Sequence, residues 1–263
     1  MLPSDIDRLT TAGKFNIATF LGSGSSGLWV NQGIEPTDDL HFRKAVALAA
    51  DKKGLIQVLS AGKSPLGIGP LTPVSWAWNP ILKGIDYNLE EAKKELALSK
   101  YPKGTKLEMA VSGTTPEAIQ IGELWKALLK KIDVDATISP LAGAEYSKRN
   151  FLDKTVPLAD SRYTMRVDPD GNVATTLNSK TLYNSGHRDN KELDDLILKA
   201  RQTYAQQERK ALYDKIQQIA IDQVYKVYTH YGVNVAASVK GLGNFESYYG
   251  AEGQPRYKAL WMA

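Results

Sequence analysis

The chain has 263 residues, 43% of them hydrophobic and 24% charged, with a formal net charge of +4 and no cysteine. Such a chain buries a sizeable core, as one large domain or two smaller ones, and carries no signature of disorder, coiled coil or collagen. Dispersed basic residues exclude the Lys/Arg stripe of a nucleic-acid binder, and the lack of cysteine excludes disulfides, thiolate metal sites and cysteine nucleophiles.

No run approaches the roughly 18 apolar residues of a membrane helix. The opening MLPSDIDRLTTAGK lacks the charged and apolar regions of a signal peptide, so an exported protein is expected to be represented here without its beginning. Short apolar runs at 15–20 and 28–31, separated by GSGSSG at 22–27, read as a hairpin. In DDLHFRKAVALAADKKGLIQVLSAG, Leu40, Val46, Ala47, Ala50, Leu55 and Val58 recur at helical spacing, with Asp51 placed to cap a change of direction and Gly62 to end the run. Pro65, Pro70, Pro73 and Pro80 alternate with Gly62, Gly67 and Gly69, which marks 62–80 as an irregular loop holding Trp76 and Trp78. Tryptophans in such a loop either plug it onto the core or line a pocket.

Asn88 and Glu91 make a capping-box-like start for NLEEAKKELALSK. A βαβ unit follows: strand 106–111, a helix from Thr115 or Pro116 to about Ile132, and strand 134–139 parallel to the first. GAEYSKRNFLDK predicts a helix, VPLADSRYT a strand, and RVDPDGN a turn that stops regular structure. Helices are expected over 190–204 and 206–223, and YKVYTHY as a buried strand. The glycine-broken final forty residues are expected in a different sheet.

Enzyme chemistry finds no foothold. His41, His187 and His230 are too dispersed for a metal site and read as surface or core residues. GSGSSG lacks the lysine of a phosphate loop, and there is no GxSxG elbow. Counted from Asp168, RVDPDGN would need an acidic twelfth calcium ligand where Ser179 stands. No metal or other cofactor is expected. The company of that turn is more telling, because Arg162, Tyr163 and Arg166 gather two guanidinium groups and a ring at a strand end, the ingredients of a small-molecule cleft. The arginines either meet a ligand carboxylate or phosphate, or pair with Asp168 or Asp160.

Four segments in order, DLHFRKAVALAADKKGLI, YNLEEAKKELALSKYPKG, GELWKALLKKIDVDATI, and RVDPDGN followed by YNSGHRDNKELDDLILKARQTYAQQERKALYDKIQQIAIDQ, resemble the C-terminal half of the family 5 peptide/opine/nickel solute-binding proteins. The resemblance covers about residues 10–263. It implies an α/β fold, the second lobe of a class II, cluster C periplasmic binding protein, with a mixed sheet, flanking helices and C-terminal strands returning to the first lobe. Residues 1–32 are then hinge-proximal strands, 33–225 the second lobe, and 226–263 the return. It also implies a periplasmic, non-enzymatic component of an ABC importer that captures a peptide or peptide-like solute and delivers it to membrane permease subunits, with the missing N-terminal half as its partner. An intracellular ligand-sensing regulator of the same fold is the alternative. The ligand-binding residues so implied are Trp76, Arg162, Tyr163, Met165, Arg166, Asp168, Tyr183 and Asn184. Met165 stands where peptide-binding members carry the acid that holds the ligand's amine, and a thioether cannot neutralise an ammonium; the RxDPDG form resembles a subgroup whose ligands need not be plain peptides.

Overall fold

The structure, a computed structural model, describes residues 3–102, 104–164, 166, 168–186, 189–247, 256–258 and 260–262. A helix α1 (Pro3–Ala12) leads into β1 (Phe15–Val30), followed by α2 (Leu40–Leu48), α3 (Lys52–Ser60), α4 (Leu89–Leu98), β2 (Lys106–Ser112), α5 (Pro116–Lys130) and β3 (Asp135–Leu141). Then come α6 (Gly143–Ser147), a π-helical turn (Lys148–Leu152), β4 (Leu158–Thr164), α7 (Pro169–Leu177), α8 (Lys191–Gln202), α9 (Gln206–Asp222) and β5 (Lys226–Val239). A small pair, β6 (Leu242–Gly243) with β7 (Trp261–Met262), and a 3-10 turn at Phe245–Ser247 complete the described elements.

The helix starts are written in side-chain caps. Asp39, Asp51, Asn88 and Thr115 accept hydrogen bonds from the backbone N–H groups of Phe42, Gly54, Glu91 and Ala118, each satisfying a donor that the first helical turn leaves orphaned. Asn88 does not complete a reciprocal box with Glu91: its own N–H donates to Leu48 O (2.9 Å), joining α4 to the end of α2, while Glu91 pairs with Lys94.

Five strands form one mixed sheet in the order β3-β2-β4-β1-β5. β2 runs parallel to β3, as the βαβ spacing predicts, and also to β4; β1 runs antiparallel to both β4 and β5. Alternation along the strands sends Leu28, Val30, Leu107, Met109, Val111 and Leu158 to one face, packed against α2, α4 and α5. Trp29, Ala110 and Ala159 go to the other, against Tyr146 and Phe151. A third cluster joins α7, α8 and α9 to the 62–80 loop through Leu71 and Ala77.

Three expectations are corrected. GSGSSG is no hairpin turn: it lies inside the single strand β1, whose register on β5 shifts between Leu21 and Ser25 and again between Ser26 and Gly27. Its glycines admit a neighbouring backbone, since a Cβ on Gly27 (φ +153°) would sit 1.7 Å from the Val227 carbonyl oxygen. RVDPDGN does not stop regular structure either. Asp168 caps and Pro169 opens α7, a proline at the first helical position behind an acidic cap being a start signal that outweighs the turn propensity of DPDG. The tail is not in a different sheet over 226–239, where β5 pairs with β1 along nearly its full length. Of GAEYSKRNFLDK, five residues are α-helical before the π-helical turn takes over. The buried strand expected in YKVYTHY is the first half of β5.

Candidate functional site

β4 emerges from the core between Ser161 and Arg162: Leu158 to Ser161 are buried, and Arg162 is exposed. Because side chains alternate along a strand, Asp160 and Arg162 share a face while Tyr163 projects to the opposite one. On the Asp160 side an open cavity of about 400 Å³ lies between the sheet, the C-terminal half of α3 and the N-terminal half of α5. Leu55, Leu59, Ile121 and Trp125 give it apolar walls, and Ser26, Asp160, Arg162 and His230 bring polar groups from β1, β4 and β5. This mixture of apolar lining and a few convergent polar groups is the ordinary make-up of a small-molecule site.

Asp160 is only 4% exposed. Its Oδ1 accepts from Ser112 N at 2.5 Å, the one hydrogen bond its carboxylate makes among the described residues. Burial pushes its pKa up, against the pull of that N–H and of the Arg162 charge. The Arg162 side chain makes no hydrogen bond or ion pair among the described residues. Glu117, in the first turn of α5, is held below the usual carboxylate range by its own backbone N–H, the Thr115 hydroxyl and, across the cavity, the Arg162 charge, against a small burial penalty. His230 is pushed down to about 4 by burial and by the nearby Lys226 and Arg162 charges, and is therefore neutral near pH 7; its Nδ1 lies 3.0 Å from Thr229 Oγ1.

The other residues expected in a site are distributed over different surroundings. Tyr163 stands edge-on to Trp29 (6.0 Å between ring centroids) and Tyr183 (5.7 Å), and Tyr183 in turn meets Phe151 (4.9 Å), forming an aromatic patch on the opposite face. Trp76 is half-buried against Tyr213 and under the Arg209 guanidinium, 5.3 Å from its ring centroid. Asp168 pairs with Arg209 through both carboxylate oxygens (2.9 and 3.2 Å) and with neither Arg162 nor Arg166. Burial opposes its ionisation, but Arg209 and the Asp170 N–H prevail and hold its pKa below the usual range. Arg166 is exposed, its stem lying so close to Gly171 that a Cβ there would meet it at 2.8 Å. Asn184 is fully buried and donates to Ser179 O, a loop-bracing role. Met165 and His187 lie outside the described residues.

Among the described residues of that set, Arg162 is thus the one that lines the cavity. Sequence reasoning missed Asp160, Glu117, Trp125 and His230. For Asp160 the signal was present, since it stands two residues from Arg162 in a segment read as a strand; the other three arrive from distant segments.

A family model described as bacterial extracellular solute-binding proteins, family 5 Middle, matches residues 1–185. Among curated relatives, a heme-binding protein A of Haemophilus influenzae is 26% identical over 84% of this chain and 41% of its own length. A dipeptide-binding protein of Escherichia coli is 25% identical over 84% and 43%. The chain spans less than half the length of these relatives. The solved ABC transporter substrate-binding protein CtaP of Listeria monocytogenes shares the fold at a TM-score of 0.89 and 22% identity, covering 100% of this chain and 55% of that one.

Proposed function

Because the chain belongs to the bacterial extracellular solute-binding proteins of family 5, we propose that it is the ligand-gripping part of an ABC importer's periplasmic binding protein, and that its cargo is a peptide or peptide-like solute. It captures that solute against a second lobe, and closure of the two lobes presents the loaded protein to membrane permease subunits. The observation that carries this reading is the cavity itself. It opens where β4 leaves the core and beside the two longest strands, and it combines apolar walls with Asp160 and Arg162, which make no side-chain hydrogen bond or ion pair among the described residues.

The strand architecture suits the lobe arrangement. β4 pairs with β1 only over Gly24–Val30, so the outer parts of β1 and β5, Phe15–Leu21 against Val233–Val239, form a two-stranded ribbon beyond it. Phe15, Leu21 and Val239 are exposed on that ribbon. We assign the ribbon, within the segments 1–32 and 226–263, to the crossing between lobes, and 33–225 to the second lobe, whose cavity is completed by Ser26, Gly27 and His230 from the inner parts of β1 and β5. The relatives named for dipeptides and for heme differ in cargo, so the family supports a solute-binding role and leaves the choice of solute to the cavity. No described helix is long and apolar enough to cross a membrane.

Mass spectrometry of small molecules released from the purified chain, followed by calorimetry with the solute identified, tests the proposal. Release and rebinding of a peptide-like solute at one site is the expected result. A chain that neither carries nor binds any small solute would sink it.

A further inference from the structure

β1 and β5 do not run as one regular ladder. Leu21 stands opposite Val233 and Ser25 opposite Tyr231, so the three residues 22–24 of β1 face Gly232 alone on β5. A little further along, Ser26 faces His230 and Gly27 faces Tyr228, so the extra residue there, Thr229, belongs to β5. Bulges on both strands within a few residues bend the pair and sharpen its twist. They fall where β4 gives out, since the last β1 residue it pairs with is Gly24, opposite Thr164. On one side of Gly24 lies the five-stranded sheet, and on the other the two-stranded ribbon.

The chain is anchored up to that point and again beyond it. On the sheet side Lys226 Nζ donates to Ser25 Oγ (2.9 Å) and Ser25 O (3.2 Å). Tyr231 donates its N–H to Pro65 O (2.8 Å), and its hydroxyl accepts from Ile68 N and Gly69 N, each at 3.2 Å. On the ribbon side the register is unbroken from Leu21 opposite Val233 to Phe15 opposite Val239, and Phe20 meets Phe245 edge-on at 6.0 Å. Between these anchors stand Gly22, Gly24 and Gly232, which bring no side chain to lock one strand on the other. Neither Gly24 nor Gly232 has a positive φ, and a Cβ on Gly232 would come no nearer than 3.6 Å to another group. Position 232 therefore has room for a side chain, and what glycine adds there is backbone freedom. Gly232 and Val233 also line the cavity of about 400 Å³.

We infer that the ribbon turns at this three-glycine crossing, as a stiff arm on a short joint set in the cavity wall. Its use rests on the solute-binding reading above: the ribbon is there the crossing between lobes, so the joint sets the angle at which they meet, and a solute in the cavity lies against the joint itself. A change of a few backbone dihedrals at such a point suffices for a hinge.

The chain has no cysteine, so introduced cysteines carry spin labels cleanly. Pulsed electron paramagnetic resonance on the full chain, freed of solute, measures distances from two exposed lobe positions, Glu123→Cys and Lys94→Cys, to two exposed ribbon positions, Asn16→Cys and Thr19→Cys. The distance between the two lobe positions is the reference. Seven residues of strand make an arm of roughly 20 Å, so a turn of about 15° displaces its end by about 5 Å. The distribution to Asn16 should exceed the reference in width by about that much from at least one lobe position, and the excess at Thr19 should be about four-sevenths as large, in proportion to arm length. Gly232→Ala, which has room to fold, should reduce both excesses by about half or more, and Gly24→Ala serves as a second variant. Widths no greater than the reference overturn the joint. So does an excess at Thr19 of about a third of that at Asn16, which would mean an arm bending along its whole length. An excess that both alanine variants leave unchanged overturns it as well. The wild-type comparison decides by itself if neither variant folds. Because no solute is present, a rigid crossing leaves the solute-binding reading standing, whereas a chain that turns here and carries no solute keeps the joint and loses that reading.

Discussion

Two charged regions sit a few residues apart in the chain and have opposite fates. At the β4–α7 joint, Asp168 is gripped by Arg209 and Asp170 by Arg201 (3.0 Å), and Arg209 also donates to Ala200 O and the Tyr213 hydroxyl while lying over Trp76. Just upstream, Asp160 and Arg162 open on a cavity with, among the described residues, a single backbone donor between them. The residue types are the same, acids and arginines. What differs is whether the fold has used them. A charge that meets its partners inside the chain holds structure, and a charge left short of partners beside an apolar cavity is available to a ligand.

Substitutions that push each region toward the behaviour of the other test this contrast. The largest effect is expected at Gly27, on the cavity wall, where the backbone of β5 approaches too closely for any side chain. Gly27→Ala should cost more than about 3 kcal/mol or prevent folding, because a Cβ 1.7 Å from Val227 O forces β1 and β5 apart at a positive φ. Urea unfolding followed by far-ultraviolet dichroism measures it; a loss below about 1 kcal/mol would show that the strands yield easily there.

Lys226 is a third kind of charge, used by the fold without a counter-ion among the described residues. Its Nζ donates to Ser25 Oγ (2.9 Å) and Ser25 O (3.2 Å), and lies 4.9 Å from the Trp29 and 5.2 Å from the Tyr228 ring centroids. Burial lowers its pKa from the ordinary 10.5 to about 7. The folded state therefore holds fewer protons than the unfolded state between about pH 7 and 10.5, and stability rises with pH across that window. Below pH 7 both states are protonated and the burial penalty is fully present. Lys226→Met should stabilise the protein by about 1–3 kcal/mol at pH 6.5 and by progressively less toward pH 10. Lys52, lowered to about 8 by burial, adds a smaller rise of the same sign that survives in this variant. Urea midpoints at pH 6.5 and 9.5 with an unchanged difference between the two proteins would refute the assignment.

On the joint side, Arg209→Ala should destabilise by about 1–2 kcal/mol. Asp168 is half exposed, with a side-chain exposure of 52%, so the ion pair itself contributes little, and the loss comes from the stem packed on Trp76 and Tyr213 and from the bond to Ala200 O. Solute affinity measured in the same preparation should change less than the threefold or so that separates a structural from a binding residue in this comparison. A collapse of affinity with stability intact would move the joint into the binding site.

The sequence makes the regular parts of this fold readable because local chemistry decides them: Asp51, Asn88 and Thr115 announce helix starts, and the 106–139 segment reads as βαβ. It misleads where tertiary contact outranks propensity. GSGSSG has turn composition, yet the approach of β5 draws it into a strand. DPDG has turn composition too, and the cap and proline make it a helix start. The candidate site was half legible. Arg162 stood out as a cation at a strand end, but its neighbour Tyr163 was grouped with it although a period of two sends adjacent residues to opposite faces. His230 and Glu117 reach the cavity only through strand order and helix packing, which no local pattern encodes.

The smallest expected effect on stability is the most discriminating. Arg162 has no side-chain partner among the described residues and is exposed, so Arg162→Gln should leave the urea midpoint equivalent to within about 0.5 kcal/mol. Removing the positive neighbour also removes one of the two influences that hold the Asp160 pKa down, leaving only the Ser112 N–H against burial. The Asp160 carboxyl should then titrate at higher pH in the variant. The sign follows directly: a group whose folded pKa is raised above its unfolded value prefers its proton when folded, so the variant gains relative stability as pH falls through that range. Comparing wild type and Arg162→Gln at pH 4.5 and 7 should show the variant relatively more stable at the lower pH, by a few tenths of a kcal/mol. A midpoint loss of 1 kcal/mol or more at pH 7 would instead mean that Arg162 is already committed to the fold, and the contrast between a used joint and an unused cavity would be lost.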